Sequence, residues 1–102
     1  MRSAEEAMEK RYALRAKGID LDRIAARVSE VLDIKTEDVW AKGRYRQTVE
    51  ARGLLCYWAV RELGLSMSLL AHKLGISIPA ISGSVARGQK LVIEKGLELL
   101  IT

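Results

Sequence analysis

Eight glycines stand singly along this sequence, and most of them fall between stretches in which apolar residues recur every three or four positions. A glycine in that place stops a helix. No segment shows sustained alternation with a hairpin dipeptide such as Asn-Gly, so strands have little to build on. Ala, Leu, Glu, Lys and Arg dominate, and these are helix formers. The expectation is an all-α fold of five to six helices. With 102 residues, 49% of them hydrophobic and 29% charged, the chain has the size and composition of one small globular domain.

Several function classes are disfavoured at this level. The longest unbroken apolar run, Leu54 to Val60, is too short to span a bilayer. Nothing at the N-terminus reads as a secretory signal. A lone cysteine, Cys56, leaves no internal disulfide and suits a reducing cytoplasm, where the chain is expected to reside. One histidine, His72, and one cysteine are too few preferred ligands for structural zinc. No Ser-His-Asp order, phosphate-binding glycine loop or Cys-x-x-Cys pair is present. The carboxylate pairs Glu5/Glu6 and Glu37/Asp38 fall in first turns of expected helices, where the helix dipole accounts for them. Catalysis, a metal, a cofactor and a small-molecule substrate are therefore not expected. Seventeen basic residues against thirteen acidic give a net charge of +4, which permits a nucleic-acid partner without requiring one.

Residues 1–18 read as an N-terminal connector helix, with Ser3 and Glu6 as a capping box and Gly18 as the stop. Residues 19–102 read as the domain proper. Asp20 can cap a helix whose stripe is Leu21, Ile24, Ala25, Val28, Val31 and Leu32. A short helical turn follows from Ile34 to Trp40, with Thr36 at its start. The stretch from about Thr48 to Leu63 is apolar nearly all round and is expected to be a central buried helix. Cys56 within it reads as a small core residue. The apolar tail, Leu97 to Thr102, can either dock on the first helix or contact another chain.

The most informative stretch is 66–87. Two short helices are expected there, capped by Ser66 and Ser77, with a tight turn on Gly75 between them and Pro79 in the first turn of the second. Ala71 is small where the two helices must approach closely. Leu69, Leu70, Ala71 and Leu74 are expected to face inward, and Leu70, Leu74, Ile76, Ile81 and Val85 to fix the angle. This combination matches a DNA-binding helix-turn-helix, although a helical pair in a bundle can imitate it. In the first reading the helix from Ile78 to Arg87 enters the major groove, and Ser77, Ile78, Pro79, Ala80, Ser82, Gly83 and Ala86 lie nearest the bases. Ser77 and Ser82 can bind phosphates or single base groups. Ile78 or Ala80 could touch a thymine methyl, and Arg87 is better placed for the backbone. No Arg, Asn or Gln occupies a position for bidentate base contacts, so affinity is expected to rest on phosphates and discrimination to be weak. A basic loop at 42–46, carrying Lys42, Arg44, Tyr45 and Arg46, with Arg52 further into the following helix, is a second candidate DNA contact.

The order of helix, basic loop, buried helix and helix-turn-helix over about Asp20 to Leu91 resembles the DNA-binding domain of the bacterial replication initiator DnaA, which has a Trp-repressor-like fold. More closely, Gly18-Ile-Asp-Leu-Asp22, Ala51-Arg-Gly-Leu-Leu-Cys-Tyr-Trp-Ala-Val-Arg-Glu-Leu-Gly64 and Leu74-Gly-Ile-Ser-Ile-Pro-Ala-Ile-Ser82 resemble the C-terminal accessory region of REP-associated, single-strand-type transposases. That resemblance covers nearly the whole chain and implies a domain that helps a separate catalytic domain hold DNA. It matches Lys42, Arg44 and Arg46 to the basic loop, and Ser77, Pro79, Ala80 and Ser82 to the recognition-helix start. The initiator's Asp-His-Thr/Ser-Thr/Ser run is replaced here by Ser77-Ile78-Pro79-Ala80. Ile78 and Gly83 stand where the transposase relatives tend to carry a polar and a basic residue.

The expected function is a non-catalytic DNA-binding domain acting on duplex or hairpin DNA, with a homodimer as a possible assembly. The rival expectation is a protein-interaction or dimerisation module that kept the fold and lost DNA. It is motivated by the donor-poor helix and the apolar tail Leu97, Leu99, Leu100 and Ile101.

Overall fold

The computed structural model describes residues 12–14, 16–41, 43 and 45–99. It is all-helical, with no strand among those residues. The order is α1 (Leu21–Leu32), α2 (Thr36–Trp40), α3 (Arg46–Tyr57), a π-helical stretch (Trp58–Leu63), α4 (Met67–Leu74) and α5 (Ile78–Lys95). Residues 12–14 and 16 are helical ahead of these. Leu14 is buried in the common core and its carbonyl accepts from the Ile19 amide at 3.0 Å, so this end of the expected connector is packed on the domain. The Ser3/Glu6 capping box lies outside the described residues.

The caps work largely as their chemistry dictates. Asp20 accepts a hydrogen bond from the Arg23 amide at 2.9 Å and opens α1, whose buried stripe is Leu21, Ile24, Ala25 and Val28. Val31 and Leu32 continue the stripe half-buried. Thr36 is the first residue of α2, but Lys35 stands at its cap and makes no side-chain cap bond. Val39 is buried and Trp40 packs on the core edge.

The central helix ends at Leu63 with Gly64 past it, as expected, but differs at its start and in its last turns. It starts at Arg46 rather than Thr48, and beyond Tyr57 the α-helix widens into a π-helix that Gly64 closes, with the Leu65 amide bonded to the Ala59 carbonyl at 2.9 Å. Trp58 and Leu63, five apart, are both buried. A π turn brings residues at that spacing onto one face, which the 3.6-residue α period does less well. Leu54, Leu55, Cys56 and Ala59 are fully enclosed, as an all-round apolar helix requires.

Helix α5 lies antiparallel on α3. Arg46 and Lys95 line one groove, Val49 with Leu91 and Glu94 the next, and Gly53 meets Gly88 at the crossing. Gly88 lies inside α5, which continues past it to Lys95. A Cβ there would run into the carbonyl group of Gly53 and lie 2.6 Å from Tyr57 Cβ, so the missing side chain is what lets the two backbones touch. The tail also finds its place: Leu99 is buried, and the Glu98 carbonyl accepts from Arg27 Nε of α1 at 3.1 Å. Leu100 and Ile101 lie outside the described residues. Among the described residues, no single helix is long and apolar enough to cross a membrane.

Candidate nucleic-acid interface

Helices α4 and α5 are joined by three residues, Gly75, Ile76 and Ser77, and the chain turns by 103° between them. Each part of the joint has a local cause. Ser66 Oγ accepts from the Leu69 amide at 3.1 Å and starts α4. Gly75 takes the left-handed conformation at φ 67°, and the amides of Gly75 and Ile76 both donate to the Ala71 carbonyl at 2.9 and 3.1 Å. Ser77 Oγ then accepts from the Ala80 amide at 3.2 Å and starts α5, with Pro79 in its first turn. Leu70, Ile81 and Val85 are buried beneath the joint, with Leu74 and Ile76 partly buried.

Leu69 does not face inward as expected; it is 39% exposed. Successive residues on a helix lie about 100° apart, and on so short an element the core takes Leu70 while Leu69 edges a surface groove with Ile19, Leu21, Leu63 and Leu65.

On α5 the outward positions are Ile78, Pro79, Ala80, Ser82, Gly83, Ala86 and Arg87, preceded by an exposed Ser77. The hydroxyl oxygen of Ser77 is engaged by its own helix cap. Arg87, Lys90 and Lys95 follow along the exposed side of the same helix.

The basic loop is placed differently from the α5 tip. Lys42 and Arg44 lie outside the described residues. Tyr45 is exposed, and Arg46, with its side chain 93% exposed, pairs with Glu50 at 3.0 Å in the first turn of α3. Arg52, expected to contact DNA, is part-buried and turned to the loop: its Nη2 donates to the carbonyls of Gly43 at 3.1 Å and Ala41 at 3.4 Å. Its fork ties down loop carbonyls that no helix bond satisfies. Because α3 and α5 are antiparallel, the loop end of α3 sits beside Lys95. Ile78 is 17 residues away, or about 25 Å along α5 at the helical rise. Arg87 and Lys90 lie between these two ends of α5 and line a groove with Val49 and Glu50, the partner of Arg46.

The sequence also carries a signal that capping and periodicity do not reveal: between Glu62 and Glu94 there is no acidic residue. That span holds α4, the turn and most of α5, and its charged side chains are Lys73, Arg87 and Lys90, with His72 and Lys73 exposed on α4.

Cys56 is buried where α3 meets α5. Burial pushes its thiol up to about 11, against smaller opposing effects of Arg52 and a hydrogen bond with Ser84. Among the described residues, no three His, Cys, Asp or Glu side chains are grouped as a metal site requires. No protein-family model, curated protein or solved structure matches this chain.

Proposed function

We propose that this chain is a non-catalytic DNA-binding domain in which α4 and the first half of α5 act as a helix-turn-helix, serving a transposase-like protein whose catalysis lies in a separate domain. The observation that carries the reading is the 103° turn through a three-residue joint with glycine at its start. DNA-binding helix-turn-helices cross at about 90–120° through turns of this length. The acid-free span supports it, because a polyanion approaching α4 and α5 meets cations and no carboxylate on those helices before Glu94. The transposase setting rests on the resemblance of the three sequence phrases alone.

In this reading the α5 tip enters a major groove and affinity comes from phosphates, through Arg87 and Lys90 on α5 and through Arg46 with Lys42 and Arg44 at the loop. Arg52 then acts by holding the loop. The interaction-module alternative loses part of its motivation, because Leu97 and Leu99 pack on the chain's own core.

The test is fluorescence anisotropy with a labelled DNA hairpin and a matched duplex at two salt concentrations. Salt-sensitive binding supports the domain assignment, and a hairpin preference supports the transposase setting. No binding at low salt, where phosphate contacts are strongest, overturns the reading in favour of the interaction module.

A further inference from the structure

We propose that the first turn of α5 discriminates DNA by the C5 methyl group of thymine, with Ile78 as the residue that contacts it. This rests on the DNA-binding reading and adds a chemical basis for base preference to it.

The tip of α5 is unusual in what it can offer a groove. Ile78 is 48% exposed, the largest apolar side chain on the outward face of the first two turns. Pro79 has no amide hydrogen, and the Ala80 amide is bonded to Ser77 Oγ. Ala80, Gly83 and Ala86 present no polar side-chain atom, which leaves Ser82 as the one exposed side-chain hydroxyl not engaged in the cap. A surface of this kind can form no bidentate pair with guanine or adenine. Seating Ile78 on a purine edge would strip water from N7, O6 or N6 and return no hydrogen bond. The major groove has one apolar group among the four bases, the thymine methyl. Arg87 further along the same helix, with Lys90 one turn on and exposed though paired with Glu94 at 4.0 Å, supplies the positive charge that brings a phosphate backbone to this face, while Glu50 and Glu94 stay in the groove behind them. The free energy of burying one carbon sets the size of the effect at about a fourfold affinity difference per contacted methyl.

The experiment uses the full chain with two labelled duplexes, one of alternating adenine and thymine and one in which deoxyuridine replaces every thymine. Anisotropy titrations are run at two salt concentrations with the wild type and with Ile78→Ala, whose exposed position leaves the fold intact. The expected result is salt-sensitive binding to both duplexes, weaker for the uracil duplex by about fourfold or more, with the gap largely closed in Ile78→Ala. Equal, salt-sensitive binding to both duplexes by the wild type overturns this inference and leaves the DNA-binding reading standing. A gap that persists unchanged in Ile78→Ala also overturns it. Absence of salt-sensitive binding to either duplex overturns the DNA-binding reading, and the inference with it.

Discussion

Replacing Gly88 by alanine is expected to destabilise the protein, while the same replacement at Gly83, five residues earlier on the same helix, is expected to stabilise it. Helix propensity alone favours alanine at both sites by about 1 kcal/mol. At Gly83 a Cβ meets nothing within 4 Å, so that gain is kept. At Gly88 the Cβ meets the Gly53 carbonyl, whose carbon would be 2.6 Å away, and Tyr57 Cβ at the same distance. The first obstacle is backbone, which has no rotamer to escape into, so α3 and α5 must separate. Overpacking of this kind costs about 1–3 kcal/mol and occasionally more. The cost outweighs the propensity gain at Gly88, and the two variants fall on opposite sides of the wild type. Gly53→Ala is milder, because its nearest neighbours are the Ser84 carbonyl oxygen at 3.1 Å and the Gly88 nitrogen at 3.2 Å. Urea unfolding followed by circular dichroism measures the differences directly. In a thermal melt, each 1 kcal/mol corresponds to about 4–8 °C for a domain near this size. A Gly88→Ala protein as stable as the wild type would refute the close crossing and, with it, the placement of α5 on α3.

Two other expectations separate roles that the sequence leaves merged. Arg46→Ala is expected to weaken DNA binding and lower the salt slope by about 0.9, the effect of one lost phosphate contact, whereas Arg52→Gln weakens binding with the slope unchanged because it loosens the loop; equal slope losses in titrations at several salt concentrations would return Arg52 to the DNA surface. The Cys56 thiol rises from 9.0 to about 11 on folding, so its contribution is full below about pH 9 and lost as pH rises through about 11. Urea stability of the wild type is therefore expected to fall more steeply over that window than that of Cys56→Ala, and parallel pH profiles would count against a buried thiol.

Local chemistry made much of this fold legible in the chain. Asp20, Ser66 and Ser77 each cap a helix because a short side-chain oxygen reaches an orphan amide three residues on, an interaction decided within one turn. Gly64, Gly75 and Gly96 end helices for equally local reasons. The apolar run from Leu54 to Val60 marks the central helix because a surface helix has a polar side and this segment has little of one. What remained hidden depends on residues far apart in sequence. The π-helical register follows from seating Trp58 and Leu63 together, Gly88 from the approach of Gly53, and the role of Arg52 from carbonyls at Ala41 and Gly43. Leu69 and Leu70 are equally apolar, and only the neighbouring helices choose which is enclosed. The distance between loop and α5 tip was likewise invisible, since it comes from the antiparallel packing of α3 and α5. Capping and helix stops are short-range and survive in the one-dimensional order of residues. Which faces meet, at what spacing and beside which backbone, is fixed when close packing brings distant segments together, because only then do volume and unsatisfied polar atoms select one arrangement.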